Sequence, residues 1–395
     1  MSEVISLRSI TSKIGSGATP KGGNTVYENS GIAFIRSQNV LDMSFSTQNL
    51  AYITNEQANK LNNVIVENND ILLNITGDSI ARCTIVPDEL LPARVNQHVS
   101  IIRCISPDYA NYVCYYLQFL KPYLLQICKV GGTRNALTKE AIENLPIVIQ
   151  KEYKKIGNLL STIDQKITLN NQINEELEAM AKTLYDYWFV QFDFPDENGK
   201  PYKSSGGKMV YNDQLKREIP EGWGVKQLGE LADLYQPQTL SEKDLISNGR
   251  YFVYGANGII GKYNKYNHET PMLAIACRGN SCGAINITQP FSWITGNAMV
   301  VKPKFEYICI DYLKYSLLNG NIYKTISGSA QPQITRTNLS PLLLLQADET
   351  ILSEYADRIN SMFSLRIKNF QQNQELTQLR DWLLPMLMNG QVKVE

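Results

Sequence analysis

Three places in the chain come close to a catalytic arrangement, and each falls short in a definable way. Pro195-Asp196 followed by Glu197-Asn198-Gly199-Lys200 approaches the P-D…(D/E)-x-K pattern of a nuclease core. The last spacing is one residue too long, and Asp-Glu-Asn-Gly-Lys-Pro is turn chemistry. Gly261-Lys262 could close a phosphate-binding G-x-x-x-x-G-K-[ST] loop, but Ala256 occupies the first glycine position and Tyr263 follows the lysine. His98, in Asn96-Gln97-His98-Val99, could serve as the base of a Ser-His-Asp relay, but its counterpart in an internal repeat is Asn297. The only other histidine is His268, and the seven cysteines contain no C-x-x-C pair, which argues against a zinc site and for reduced core thiols. No dinucleotide-type G-x-G-x-x-G follows a strand, and no Pro-Pro-Tyr or Pro-Pro-Phe of an amino-methyltransferase occurs. The pattern is that of a binder, not an enzyme, with no metal site of its own.

Those residues sit in a duplicated frame. Leu137-Thr138-Lys139 is echoed by Ile334-Thr335-Arg336, Asn174-Glu175-Glu176-Leu177 by Asn373-Gln374-Glu375-Leu376, and Thr76-Gly77-Asp78-Ser79 by Arg278-Gly279-Asn280-Ser281. A repeat of about 199 residues means two similar domains, since solenoid repeats run roughly 20–50 residues. The 395 residues allow two or three domains of about 100–200 residues each. With 38 basic and 38 acidic residues the net charge is zero, which weighs against a grip on nucleic acid by charge alone. No apolar run reaches the ~18 residues of a membrane helix, and the N-terminus lacks a signal-peptide pattern, so a soluble cytoplasmic protein is expected.

Residues 1–150 carry short β-branched runs at Ile32–Ile35, Asp70–Ile75 and Val99–Ile102, with helical spacing from Tyr109 to Cys128. Residues 221–347 repeat this texture, with runs at Met272–Ala276 and Ala298–Val301. Between them, 151–190 has apolar residues every three or four positions, from Ile156 to Tyr187, and 191–220 reads as a linker with a joint at Ser204-Ser205-Gly206-Gly207. From 348 to 395 the helical pattern returns and should stop near Leu384-Pro385. Asn170 interrupts the first seam and Asn369 the second, either to fix register or to face solvent. Pseudo-two-fold repetition favours an antiparallel pair of helices. The expected fold class is α+β: two similar strand-rich domains separated by two long helices forming an antiparallel coiled coil.

Leu184-Tyr185-Asp186-Tyr187-Trp188-Phe189-Val190-Gln191-Phe192-Asp193-Phe194-Pro195, Ile219-Pro220-Glu221-Gly222-Trp223 and the tail Leu379–Val392 resemble the DNA-specificity subunit of type I restriction–modification systems over nearly the whole length. One departure is that the first half lacks a Pro-x-Gly-Trp opening and begins near Ser6-Leu7. The resemblance implies two target-recognition domains reading one bipartite, asymmetric double-stranded DNA site. It implies spacer helices that dock two methyltransferase subunits, with restriction/translocase subunits in the same assembly. S-adenosylmethionine, ATP and Mg²⁺ would be held by those partners, with no cofactor in this chain. A helix of about 30 residues spans ~45 Å, which places two readers on the order of 13 base pairs apart.

Base readout uses Arg or Lys toward guanine and Asn or Gln toward adenine. In the first domain the candidates are Arg36, Gln38, Asn39, Thr76, Ser79, Arg82, Lys129, Thr133, Arg134 and Asn135. In the second they are Tyr254, Asn257, Lys262, Arg278, Asn280, Ser329 and Gln331. Trp188, Phe189 and Trp382, large aromatics near helix ends, are candidates for docking partner subunits, with a core role as the alternative. Two rival readings remain. One is a coiled-coil scaffold with duplicated protein- or glycan-binding domains, for which the 22 tyrosines would also serve. The other is the specificity half of a fused methyltransferase, which the missing motifs oppose.

Overall fold

The computed structural model describes residues 3–128, 136–328 and 331–394. The chain divides into two compact units, Met1–Asn170 with Gln371–Glu395, and Asn171–Phe370.

The first unit begins with β1 (Glu3–Ser6), paired antiparallel with β10 (Pro146–Ile149). Its main sheet has the order β2-β9-β6-β7, from β2 (Thr11–Ser16), β6 (Ile71–Asn74), β7 (Cys83–Ile85) and β9 (Val99–Cys104). A second sheet, β4-β3-β8-β5, uses β3 (Ile32–Ile35), β4 (Ala51–Ile53), β5 (Ile65–Val66) and β8 (Ala93–Val95), with β3 parallel to β8. The short helix α1 (Asn55–Asn59) is held by a Thr54–Gln57 capping box. The helical run expected from Tyr109 to Cys128 is two helices, α2 (Pro107–Phe119) and α3 (Lys121–Ile127), because Pro122 sits in the first turn of a new helix and cannot continue the old one. α4 (Lys139–Glu143) is capped by Thr138.

The second unit repeats the plan. After a hairpin of β11 (Met209–Asn212) and β12 (Arg217–Pro220), β13 (Gly224–Gln227) pairs with β21 (Leu343–Gln346) as β1 does with β10. The helix α6 (Leu228–Leu231) leads into β14 (Ala232–Tyr235), and the main sheet is β14-β20-β17-β18, with β17 (Leu273–Ala276), β18 (Ile285–Ile287) and β20 (Ala298–Pro303). The smaller sheet, β16-β15-β19, joins β15 (Tyr251–Gly255), β16 (Gly258–Tyr263) and β19 (Trp293–Ile294), again with one parallel pair. α7 (Ile310–Asn319) and α8 (Arg336–Leu339) match α2 and α4.

Both long helices run through both units. α5 (Tyr153–Tyr185) ends in a widened turn at Asp186–Val190, and α9 spans Glu349–Met388. Inside each unit they pack antiparallel. In the first unit Asp164 and Asn170 of α5 meet Arg380 and Asn373 of α9, and in the second unit Asn174 and Glu178 meet Asn369 and Arg366. The two seam asparagines are buried, and their bonds are repeat-equivalent. Asn170 Nδ2 donates to Asn373 Oδ1 at 2.8 Å, and Asn369 Nδ2 to Asn174 Oδ1 at 3.0 Å. In turn Asn373 donates to the Ile167 carbonyl and Asn174 to the Arg366 carbonyl, both at 3.3 Å. These bonds form only in one register, and the burial of Asn170 and Asn369 favours the register reading over the solvent-facing one.

α9 does not stop at Pro385. The proline lacks the N–H that would bond the previous turn, but Leu384, Leu387 and Met388 are buried in the first unit's core and hold the last turn in place. Ion pairs seat the helices differently in each unit. Arg380 bonds Asp164 at 2.7 Å, whose other oxygen takes the Tyr115 hydroxyl at 2.6 Å. Arg366 bridges Glu178 at 3.0 Å and Asp311 at 3.2 Å, with Lys314 also on Glu178.

The segment expected to be a flexible joint is tied down. The Asp193 carboxylate takes the Ser204 N–H and hydroxyl, and the Tyr202 hydroxyl donates to the Lys208 carbonyl. Phe192, Phe194 and Trp223 join Trp188 and Phe189 in one aromatic core. Asp196 Oδ1 accepts the N–H groups of Asn198 and Lys200, both at 2.8 Å, so the near-nuclease motif is a carboxylate-capped turn. Gly261 and Lys262 lie on the strand β16, not in a phosphate-binding loop.

All seven cysteines are unpaired thiols. Burial pushes Cys104 and Cys309 up to about 12, far from the thiolate form that reactivity needs. Among the described residues no group of His, Cys, Asp and Glu could hold a metal ion, and no helix is long and apolar enough to cross a membrane.

Candidate nucleic-acid interface

In each unit a Gly-containing loop leaves the second main-sheet hairpin, β6–β7 or β17–β18, and the two loops share one backbone. Gly77 has φ +77° and Gly279 φ +79°, a left-handed conformation that glycine adopts without strain. Ala81 N–H bonds the Asn74 carbonyl as Gly283 N–H bonds Ala276, both at 2.9 Å. Ile80 N–H reaches Gly77 as Cys282 reaches Gly279. A second strand of chain closes each loop from behind. Thr76 bridges to Ala136 and Arg278 to Gln333. Ile75 N–H bonds the His98 carbonyl and Cys277 N–H that of Asn297, at 2.9 and 3.1 Å. Residues 76 and 278, 78 and 280, 79 and 281, 82 and 284, and 98 and 297 are therefore the same positions in two copies.

In the first unit this loop walls a cleft of about 830 Å³ lined by Ser37, Gln38, Thr76, Gly77, Asp78, Ser79, Arg82, His98 and Ala136. Four expected readers, Gln38, Thr76, Ser79 and Arg82, thus converge from two separate stretches of sequence. Arg36 stands beside them with its guanidinium 5.3 Å over the Tyr27 ring and Nη2 2.5 Å from the Asn49 carbonyl, which Gln38 also reaches at 3.3 Å. Asn39 does not belong with them. It is fully buried, its Oδ1 takes the Arg36 N–H, and its Nδ2 donates to the carbonyls of Ser46 and Gln48, so its amide builds the loop and is out of a ligand's reach.

In the second unit Arg278 and Asn280 are exposed on the equivalent loop, with Gln331 exposed on the strand of chain behind it. Asn257 is exposed at the β15–β16 turn, and Lys262 Nζ sits 5.5 Å over the Phe252 ring. Tyr254 is 5% exposed and its hydroxyl accepts the Gln289 N–H at 3.1 Å, which removes it from the surface set. Lys129, Thr133, Arg134, Asn135 and Ser329 lie outside the described residues.

Of the docking aromatics, Trp188 and Phe189 are buried at 2% and 1% exposure, packed on Tyr355 and Tyr312, and cannot touch a partner while the second unit's core is closed. Trp382 is 63% exposed. The alternative reading of the first two as core residues is the correct one, because the chain after α5 turns back over them.

Sequence reasoning passed over His98 except as a base, and with it Gln97 and Thr19. His98 Nδ1 is 2.6 Å from the Thr76 hydroxyl, and Nε2 is 3.3 Å from Gln97 Nε2. The only signal was a polar Asn-Gln-His turn at a strand start.

Both units resemble known proteins. Residues 2–179 and 220–344 match the family model of the type I restriction modification DNA specificity domain. The chain belongs to that family. Among relatives in this specificity family, it is 25% identical over 273 residues to the type I restriction enzyme MjaIX specificity subunit of Methanocaldococcus jannaschii, covering 64% of this chain and 61% of that protein. The match therefore spans less than two thirds of that relative's own length. Identity to the type I restriction enzyme HindI specificity subunit of Haemophilus influenzae is 23% over 337 residues, 66% of this chain and 72% of that protein. The crystal structure of a type I restriction–modification S subunit from M. genitalium is similar in fold, with TM-score 0.57 and 14% identity, covering 97% of this chain and 95% of that one. Each of the two matched segments carries one complete copy of the main sheet and its Gly-containing loop.

Proposed function

We propose that this chain is a non-catalytic DNA-specificity subunit. It reads a bipartite, asymmetric site in double-stranded DNA and brings methyltransferase and restriction subunits to it. Residues 1–150 and 221–347 serve as the two target-recognition domains, 151–190 and 348–395 as the spacer helices, and 191–220 as the connection between repeats. The observation that carries this reading is one loop skeleton built twice with different side chains, in a family defined by DNA specificity. Two copies of a reader with unlike chemistry suit a target of two unlike halves. Neutral net charge fits a subunit whose partners supply much of the phosphate contact.

Two methyltransferase subunits dock on this chain and carry S-adenosylmethionine, and the restriction subunits carry ATP and Mg²⁺. The complex works in the cytoplasm, where its DNA is. Single-molecule sequencing of genomic DNA tests the reading, with and without this gene in a strain expressing its methyltransferase partner. A gapped motif that vanishes on deletion is the expected result. An unchanged methylome with the partner expressed would favour a coiled-coil scaffold with protein- or glycan-binding domains.

A further inference from the structure

From the cleft of the first unit a hydrogen-bond chain runs back through Thr76 and His98 to Gln97 and Thr19. The Thr19 hydroxyl donates to Gln97 Oε1. Gln97 Nε2 lies 3.3 Å from His98 Nε2, and an amide nitrogen donates and does not accept. With this orientation of the Gln97 amide, His98 Nε2 is the acceptor and the ring proton is on Nδ1. That proton points at Thr76 Oγ1, 2.6 Å away. Thr76 therefore accepts from the ring, and its own hydrogen is left to be donated into the cleft beside Arg82 and Gln38. In the second unit the same two positions hold Arg278 and Asn297, both exposed.

We propose that Thr76 is a base-reading donor of the first unit, with His98 as its positioning residue, and that Arg278 and Asn297 take over these two positions in the second unit, so that the two units read different base edges. The inference rests on the DNA-specificity reading above. Thr76 offers one directed hydrogen and suits a major-groove acceptor, a purine N7 or thymine O4. Arg278 offers a two-pronged donor and suits guanine, and Asn297 beside it suits adenine. Nothing in the shared backbone separates the two units here, so the difference lies in the side chains.

The test uses the full chain with its methyltransferase partner, and reads the methylome together with binding of the purified complex to a duplex carrying the wild-type motif. Thr76→Val removes the hydroxyl at nearly constant shape. It should relax one base in one half of the motif and weaken binding by roughly ten- to a hundred-fold, leaving the other half unchanged. Thr76→Ser keeps the hydroxyl and should restore both. His98→Asn leaves Thr76 in place but removes its support, and should relax the same base; it carries the test if Thr76→Val does not accumulate. The double change Thr76→Arg with His98→Asn should move that base toward guanine. A Thr76→Val or His98→Asn complex with the wild-type motif and wild-type affinity would overturn the assignment while leaving the subunit function standing. A wild-type methylome without any gapped motif would instead sink the function and this assignment together.

Discussion

The Gly-containing loops of the two units are alike in backbone and unlike in charge. The first unit places its guanidinium at Arg82, at the far end of the loop, and a carboxylate at Asp78. The second places its guanidinium at Arg278, at the near end, with Asn280 in place of the acid and Ala284 in place of Arg82. The hydrogen bonds that shape the loop are backbone bonds in both. Because those bonds do not involve the side chains, the side chains can be exchanged without disturbing the loop. That separation between frame and chemistry lets one fold carry two different sets of side chains.

The helix seats offer the strongest way to break the parallel. Arg366→Met leaves Asp311, whose side chain is 2% exposed, without its cation, and should cost the second unit about 3–5 kcal/mol. Arg380→Met leaves Asp164 its Tyr115 bond and a 17% exposed side chain, and should cost the first unit less, about 1–3 kcal/mol. Hydrogen exchange resolved by unit checks both, and equal losses would show that the seats are equivalent after all. Asp311 also gives the second unit a pH signature. Burial, helped by Glu178, raises its carboxyl against the lowering pull of Arg366 and Lys314. An acid raised in the folded state contributes stability below its unfolded value, near pH 4, and loses it as pH rises through the folded value. The melting temperature of the wild type should therefore fall over that window, and Asp311→Asn should flatten the fall.

The seam amides test the repeat itself. Asn170→Leu and Asn369→Leu each remove a buried amide and its bond to a half-buried partner, and should cost about 1 kcal/mol, equal within error. Denaturation midpoints measured with urea check this, and an unequal pair would show that the duplication is not energetic. Arg82→Ala and Arg278→Ala should each cost about 1–3 kcal/mol of DNA binding and relax a different half of the motif. Competition binding against duplexes changed in one half distinguishes them. The smallest effect on stability belongs to Trp382→Ala, within about 0.5 kcal/mol because the ring is exposed, while capture of the methyltransferase partner should weaken. A calorimetric scan and a pull-down separate the two outcomes.

The large elements were legible because their signals are long and local. Apolar residues every three or four positions over more than 30 residues mark α5, and short β-branched runs between turn residues mark β3, β6, β9, β17 and β20. The errors came where tertiary contacts outrank local rules, as at Pro385, where core burial extends a helix past its expected stop. At the site, the loops could be read from Gly77 and Gly279, but residue type could not say which way a side chain faces. Asn39 is a good adenine reader by composition and a loop-builder by position. The Thr19–Gln97–His98–Thr76 chain was invisible because Thr19 and Gln97 are 78 positions apart in sequence.

The return of α9 to the first unit has a consequence for how the protein is made. Gln150 donates to the Met388 carbonyl across 238 positions, and Leu384, Leu387 and Met388 fill the core that Leu7, Tyr112 and Leu160 begin. At about 5–20 residues per second, a ribosome that has finished residue 170 needs on the order of 10–40 s to reach residue 388. Throughout that interval the first unit lacks part of its interior and presents an apolar notch to solvent. The notch closes only when Leu384, Leu387 and Met388 arrive, so the first unit is completed by the last part of the chain to be made.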